Sequence, residues 1–544
     1  MTTLLELPAR VRQAEALLPC QAAAFQAGST TAEAFRGQRV PQGLYEQRRS
    51  GTYMLRVRLP GGLATADQLA GLAALAAHHG CGRLHLTTRQ DLQFHDLPLA
   101  AAVAIQQGLA AIGLSARGTG GNTVRNVACD PLAGVAGDEI LDVRPLALAT
   151  TALLLGRDGT DALPRKFKVV FSGSPADRAG AGIADLGFVA TRRDGVAGLQ
   201  VVAGGGLGGK PAVSVPIMDL APVADVPLIA VALVNLFAQH GDRSNKAIAR
   251  LRHVRHRLGA AAFADLCRAA ISEQRARGPL SGVPEALPLP TVRGLGTPGP
   301  LPAHLASLAG IVAEQESGRF SVRLAPALGD LSHHALSAIA AAARQHADPV
   351  LRAGLDQELW LTGVAGPTVP DLLAALAAHP VGAPDALASV IPACAGADTC
   401  KLGLLRSRPC ATAVGERLRR EGLALDGLRI SGCPNSCGRH LVARIGLEGR
   451  VRRVQGRMLP CFEVLSGGRH DVGGATLGAR LGTVPAKRIP DLMAAAARGG
   501  DLPSLVAEHA KLPEAIPEDW FNDWGDTRPF SLAGLGEGEC AAGA

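Results

Sequence analysis

Apolar and polar residues alternate through GTYMLRVRLPGG (51–62) and again through LHLTTRQDLQFHDL (84–97), so both stretches read as half-buried strands. Between them, QLAGLAALAAHH (68–79) repeats its apolar positions at helical period. The same order returns later as GRFSVRLAPALGD (318–330), HHALSAIAAAARQH (333–346) and GLDQELWLTGV (354–364). The spacing agrees as well: 37 residues separate Tyr53 from Gln90, and 37 separate Phe320 from Gln357. A strand, helix, strand unit that occurs twice indicates a duplicated architecture. The copies are not equivalent, because Arg89 corresponds to Asp356 and the second copy therefore reads as scaffold.

The longest apolar run, Val226 to Ala238, is interrupted by Pro227 and Asn235, which suits a buried helix better than a membrane span. The first residues place Glu6, Arg10, Arg12 and Glu15 where the apolar core of a signal peptide would lie, so a cytoplasmic location and no membrane partner are expected. With 544 residues, 47% of them hydrophobic, the chain exceeds what one core accommodates, and several domains are expected. Its formal charge of +8 suits nucleic acid, an anionic substrate, an anionic cofactor or an acidic partner. Arg and Lys are dispersed and aromatic residues make up only 3%, which argues against nucleic acid.

Eleven cysteines in a reducing compartment point to metal or catalysis where they cluster and to packing where they scatter. Cys20, Cys81, Cys267 and Cys410 read as filler. Cys394 and Cys400 in PACAGADTCKLG, with Cys433 and Cys437 in ISGCPNSCGRH, are spaced C-x5-C and C-x3-C. Structural zinc sites prefer other spacings, and four soft thiolates on Gly-rich connectors better suit an iron–sulfur cube. The absence of C-x-x-C-H excludes a c-type haem.

Cations gather in three other stretches: Arg89 in 84–97, Arg125 in GGNTVRNVACDP (120–131), and Lys166 and Lys168 in LPRKFKVVF (163–171). On an extended strand the two lysines share a face while Phe167 points to the core, so they can converge on one small anion. The G-x-G-x-x-G match at 204–209 precedes Lys210-Pro211 and a strand pattern, so it does not read as a dinucleotide-binding turn.

Taken together, the GCPNSCGRH motif, TTRQ at 87–90, VRNV around Arg125 and PRKFK around the two lysines resemble the siroheme and 4Fe-4S sulfite/nitrite reductase family, over roughly residues 40 to 490. The resemblance implies an α+β fold of pseudo-twofold design, with two small ferredoxin-like (parachute-type) modules pairing and two larger mixed α/β modules holding siroheme. It implies that Cys394, Cys400, Cys433 and Cys437 hold a 4Fe-4S cluster and that Cys437 is also the axial ligand of the siroheme iron. Arg89, Arg125, Lys166 and Lys168 are implied as the cationic wall over the substrate. Gln90, Gln93, Arg117, Arg165, Lys246, Arg250, Arg252 and Asn435 are candidate partners of the siroheme and its carboxylates, and the Gly-rich stretch at 204–209 is expected to lie against the tetrapyrrole.

The expected divisions are an N-terminal extension (1–45), a first half-domain (46–118), a siroheme and substrate domain (119–278), a Pro-rich linker (279–305), a second half-domain (306–380), a cluster and siroheme domain (381–495) and a C-terminal extension (496–544). Nitrite-preferring members of the family tend to have Asn at the second lysine of the PRKxK motif, so Lys168 favours sulfite, with nitrite as the alternative and a cobalamin-pathway monooxygenase on the same scaffold as the second. With no nicotinamide or flavin site in view, electrons are expected from an acidic ferredoxin or a flavoprotein subunit. Tyr45 and Cys129 lie near the expected substrate mouth, and Cys540 lies in a tail without an assigned role.

Overall fold

The computed structural model describes residues 4–281, 301–306, 308–383, 390–470, 474–527 and 530–531. Most of the Pro-rich linker, and Cys540, lie outside the described residues.

The two small modules trade strands. In the first sheet the order is Leu44–Glu46, Tyr53–Val57, Leu92–Leu97, Leu84–Leu86 and then Asp330–Leu331, a strand from the second repeat. The second repeat orders Ile311–Ala313, Arg319–Leu324, Leu359–Ala365 and Val350–Ala353, and ends on Leu63–Thr65 from the first. The exchange is reciprocal in register: Asp330 sits opposite His85, and Leu63 opposite Arg352. Each donated strand leads directly into a helix whose first turn is capped, by Thr65 accepting from the Gln68 amide (3.1 Å) and by Ser332 accepting from the Ala335 amide (3.1 Å). The helices Ala66–His78 and His333–His346 pack together through small faces, Leu69, Leu72, Ala73 and Ala76 against Ala335, Leu336, Ile339 and Ala340. One apolar core therefore serves both modules. This is the pseudo-twofold arrangement expected from the repeat.

Two larger units carry their own cores. The first is built on the sheet Val215–Ala221, Val196–Ala203, Leu186–Arg193, Val169–Ser172, Ala128–Cys129, and the second on Leu428–Ser431, Ile445–Val454, Arg457–Ser466, Ala479–Pro485. In the first, the apolar run forms the helix Val226–His240, buried along Ile229, Ala230, Leu233 and Phe237. It is the one helix among the described residues that is long and apolar enough to cross a membrane, counted with the preceding turn from Val223, and here it is a core helix. At the N-terminal end, Ala9–Glu15, Leu18–Gln26 and Ala32–Arg39 are helical. Cys81, Cys267 and Cys410 are buried, whereas Cys20 is exposed.

One local reading of the sequence is corrected. Residues 84–97 do not form a single strand; they fold back as Leu84–Leu86 and Leu92–Leu97, antiparallel, around a turn at Thr87–Gln90. The Thr87 hydroxyl accepts from the amides of Arg89 (3.2 Å) and Asp91 (3.0 Å), and Gln90 takes a left-handed φ of 59°. The turn carries Arg89 off the sheet and into the space between the units.

Candidate active site and cofactor cleft

Where the modules meet lies a cleft of about 1750 Å³, solvent at its mouth included. Cys394, Cys400, Cys433 and Cys437 all line it, as do Arg89, Arg125, Lys168, Arg250, Gln93 and Asn435. Two long loops supply the thiols, and both are tied to the first small module. Arg48 donates to the carbonyls of Cys400 (3.2 and 3.3 Å) and Gly403 (2.7 Å), Lys401 pairs with Glu46 (2.7 Å), and the Thr88 hydroxyl donates to the Cys437 carbonyl (2.7 Å). These braces join residues hundreds of positions apart, and nothing in the sequence pattern announces them.

Cys437 faces the open cleft, so its side chain is exposed, yet it lies deep between the units. Burial and the neighbouring Cys394 and Cys400 push its thiol up to about 11, opposed by the charges of Lys166 and Lys168. Cys433 and Cys394 are also pushed up, chiefly by burial. Thiols held this way are inert unless a cation or a cluster compensates the thiolates. Among the described residues, no three of His, Cys, Asp and Glu converge closely enough to ligate one metal ion. Thiols arranged around a cavity and not on a point are what a multi-atom cluster requires. The Gly432 amide already donates to the Cys394 sulfur (3.2 Å), and a Cβ at Gly403 would strike the Gly396 backbone, so the thiol loops close tightly behind the sulfurs.

Arg89 from the first small module and Arg125, Lys168 and Arg250 from the first larger unit face this cavity, whereas Lys166, expected beside Lys168, is packed behind it and is not among the residues lining the cleft. Arg89 donates to the carbonyl of Asn126 (2.7 Å) while its buried Nε has no hydrogen-bond partner in the structure. Burial and its cationic neighbours bring it down to about 9, which leaves it charged at neutral pH. Arg125 is held by the carbonyls of Thr119 (2.7 Å) and Gly121 (2.8 Å). Lys166 is buried with its Nζ unpartnered, and Lys168, half-buried, borders the cleft; Phe167 between them is fully buried in the core. Burial first, then Arg250, Arg125 and Arg89, depress both lysines far below the ordinary amine value. Unpaired buried cations are costly unless an anion arrives among them. Asp185 anchors the group by pairing with Arg250 (2.8 Å) and accepting from the Lys168 amide (2.9 Å).

The remaining candidates divide. Arg250 and Arg252 are buried beside the Gly-rich turn, where a Cβ on Gly206 would stand 3.2 Å from both guanidinium groups; Arg252 Nη1 is unpartnered, and its Nε donates to the Lys210 carbonyl (2.7 Å). Leu207 of the same turn lines the cleft. Arg165 is half-buried next to Lys166 and is pushed down to about 10 by burial and by Arg250 and Arg125. Arg117, expected at the siroheme, is paired instead with Asp161 (2.7 Å) in a separate cavity with Arg10 and is not among the residues lining the cleft, since the carboxylate satisfies its charge there. Lys246 is exposed on a loop outside the residues lining the cleft. Gln93 faces the cleft with its amide turned to Arg56 and His95.

Gln90 is fully buried, and its amide is consumed by backbone: it accepts from Cys129 N (2.9 Å) and donates to the carbonyls of Cys129 (2.7 Å) and Ala353 (2.7 Å). Its repeat counterpart Gln357, also left-handed at φ 64°, brackets Ala393 in the same way (2.9 and 3.1 Å). Gln357→Ala and Gln90→Ala should therefore cost similar stability, about 1–3 kcal/mol for the stranded backbone groups, read as a shift of the urea midpoint. Both should also lower kcat/KM, Gln90→Ala through the neighbouring cleft residue Arg89 and Gln357→Ala through Ala393, which directly precedes Cys394.

One cleft residue has no place among the sequence candidates. Arg439 follows Cys437 by two, is buried at φ 64°, and has an unpartnered Nη1; a Cβ on Gly180 would collide with its guanidinium. Its position inside GCPNSCGRH was the available signal. Tyr45 also borders the cleft, and Cys129 is buried behind Gln90.

The profile of the nitrite/sulfite reductase ferredoxin-like half domain matches this chain twice, at residues 45–112 and 313–379, and that of the nitrite and sulphite reductase 4Fe-4S domain matches residues 120–274. The chain belongs to the nitrite and sulphite reductase family. Ferredoxin–nitrite reductase of Synechococcus elongatus is 29% identical over 456 residues, 81% of this chain and 85% of its own length. A sulfite reductase [ferredoxin] of Mycobacterium tuberculosis is 27% identical over 416 residues, 73% of this chain and 70% of its own. The solved structure of the Mycobacterium tuberculosis NirA protein shares the fold, with a TM-score of 0.73 at 24% identity, covering 91% of this chain and 96% of that one. The family's cofactors are siroheme and a 4Fe-4S cluster. The cleft fits them: four thiols line it, the unpartnered nitrogens Lys166 Nζ, Arg252 Nη1 and Arg439 Nη1 in and beside it suit a polycarboxylate ring, and the glycines of 204–209 permit close approach.

Proposed function

We propose that this reductase uses electrons from ferredoxin to convert sulfite to sulfide, with Cys394, Cys400, Cys433 and Cys437 holding the cluster and Cys437 shared with the siroheme iron. When bound, the cofactor pair supplies the six electrons and the metal site for the anion. The chain's own residues supply the rest. Arg89 and Arg125 are placed to hold oxyanion oxygens with their guanidinium groups, and Lys168 at the cleft, with Lys166 behind it, would supply the protons the reduction needs. Arg250, Asn435 and Gln93, which line the cleft, would hold the ring's carboxylates and edge, with Arg252 and Arg165 close behind, while Gln90 would act through the backbone it brackets.

The observation that carries the sulfite reading is Lys168, a cation lining the cleft beside Arg89 and Arg125 at the position where nitrite-preferring members tend to have Asn. Sulfite brings a larger charge and more oxygen to remove, so the extra ammonium has a physical use. A second reading, nitrite to ammonia, is favoured by the name of the Synechococcus relative. Ferredoxin is favoured over a flavoprotein subunit by the names of both relatives, and by a net charge of +8 that would steer an acidic donor. No disulfide joins any of the ten described cysteines, in keeping with a reducing, cytoplasmic setting.

Steady-state turnover of each anion with reduced ferredoxin tests the choice. Sulfite should show the higher kcat/KM, and Lys168→Asn should shift the ratio toward nitrite. A higher kcat/KM for nitrite in the unmodified enzyme, with no shift in the variant, would remove the sulfite reading.

A further inference from the structure

The duplication extends to the larger units and reveals what stands in the first of them where the second has thiols. Val169–Ser172 runs parallel to Leu186–Arg193 as Leu428–Ser431 runs parallel to Ile445–Val454. The turns between them correspond residue for residue, SGSPADRAG at 172–180 against SGCPNSCGR at 431–439. Both place a non-glycine residue in the left-handed region at the same point, Asp177 (φ 46°) and Ser436 (φ 55°). Each turn takes a second positive φ at Gly180 (75°) or Arg439 (64°) and enters a 3-10 turn, Ala181–Ile183 or His440–Val442.

Backbone pairing fixes the other two positions. The Asp130 amide donates to the Phe171 carbonyl (2.9 Å) as the Cys394 amide donates to that of Ile430 (3.1 Å). The carbonyl of Gly173 accepts from Ile140 and Leu141 as that of Gly432 accepts from Leu404 and Leu405. The loops between are equally long, and each contains the same turn, Ala136 amide to Leu132 carbonyl (3.0 Å) and Cys400 amide to Gly396 carbonyl (3.0 Å). Cys394, Cys400, Cys433 and Cys437 thus correspond to Asp130, Ala136, Ser174 and Arg178.

In the first unit these positions close on themselves. Arg178 Nε donates to both oxygens of Asp130 (3.1 and 3.2 Å), and its two terminal nitrogens fork onto Asp138 (2.9 Å each). The Asp130 side chain is completely buried, and the two carboxylates drive Arg178 further toward its charged form. The residues that follow Arg178, namely Ala179, Gly180, Ile183 and Ala184, line the cofactor cleft.

We propose that Arg178, clamped by Asp130 and Asp138, is an ion-pair staple in a second, converted cluster socket, and that it holds the Ala179–Ala184 wall of the cleft as the thiol-bound cluster holds the matching turn. The assignment rests on the cluster belonging to the second unit and is independent of which anion is reduced. A forked guanidinium between two carboxylates ties the turn to the loop at 130–138 without iron. The unit that carries Arg125, Lys166, Lys168 and Arg250 thereby keeps its shape whatever the state of cluster loading. Arg178 is a positioning residue for the siroheme seat.

Three variants of the full chain, purified with cofactors, test this. Arg178→Met should lose siroheme relative to labile sulfide severalfold and show faster hydrogen exchange at 179–184, while labile sulfide per chain stays at the unmodified value; Arg178→Lys, which keeps the charge without the fork, should recover only part of the siroheme. Unchanged siroheme content and exchange in Arg178→Met would overturn the staple. The fourfold variant Asp130→Cys, Ala136→Cys, Ser174→Cys, Arg178→Cys, reconstituted anaerobically with ferrous iron and sulfide, should hold twice the labile sulfide of the unmodified chain. An unmodified sulfide value in a fourfold variant that retains the siroheme spectrum would overturn the socket. Should that variant not accumulate, the Arg178→Met comparison still decides the staple in either direction.

Discussion

Replacing Cys437 by serine should leave the purified reductase without siroheme absorption and with little labile sulfide, and should lower turnover of sulfite and nitrite by more than the roughly 10²–10³-fold that follows loss of a single transition-state donor. The reasoning starts from position. Cys437 is the one of the four thiols that is exposed to the cleft, while Cys433 is buried and Cys394 and Cys400 are half-buried. It also sits closest in charge to the cationic wall, since Lys166 and Lys168 act on it. A serine hydroxyl has nearly the same shape but is a hard, weakly acidic ligand, so neither soft iron site would keep it. The fold itself should survive, because the loop is braced by the Thr88 bond to the Cys437 carbonyl and by Arg48 on the partner loop, neither of which uses the sulfur. Visible absorption, iron and sulfide content and turnover measure the effect. Cys267→Ala is the control: that thiol is buried in the core of the first larger unit, and its loss should leave colour and metal content intact. A serine variant at 437 with unchanged colour and activity would break the shared-sulfur assignment.

How far the sequence carried is clearest at individual residues. The small-module repeat was legible because Gln90 and Gln357 sit at matching points of matching strand patterns, and the structure makes both left-handed brackets on backbone. The strand exchange was not legible, because Leu63–Thr65 and Asp330–Leu331 are too short to announce a partner. The cysteine spacing was readable, but the duplication of the larger units was hidden where Cys433 and Cys437 correspond to Ser174 and Arg178: matching backbone turns carry opposite chemistry. Among the cations, Lys168 could be placed by alternation around Phe167, a local rule. Arg117 could not, since its pairing with Asp161 depends on tertiary packing that no local pattern encodes. Arg439 escaped for a similar reason; a charged residue beside a ligand cysteine reads as surface until its burial is seen.

The lysine pair leads to a pH dependence with a definite sign. Both amines are depressed well below 10.5, first by burial and then by like charges, from Arg250, Lys168 and Arg125 on Lys166 and from Arg89 and Arg250 on Lys168; Asp185 and Cys437 oppose this only in part. A depressed amine is charged below its own pKa and neutral above it, so both proton supply and anion attraction are lost as pH rises through the depressed value, well before an ordinary lysine would titrate. Kcat/KM should therefore show an alkaline limb inside the window between that value and 10.5. Nitrite is the better probe, because it remains a monoanion throughout this range and the limb then belongs to the enzyme. Lys168→Met should lower kcat/KM at neutral pH by roughly 10²–10³-fold, the cost of one preorganised donor, and should move the limb upward, because removing one cation relieves the repulsion on Lys166. Lys168→Arg should restore anion binding, seen in KM, more than kcat, because a guanidinium holds its proton too firmly to supply it. A limb unmoved by Lys168→Met would mean that the lysines do not titrate together at this site.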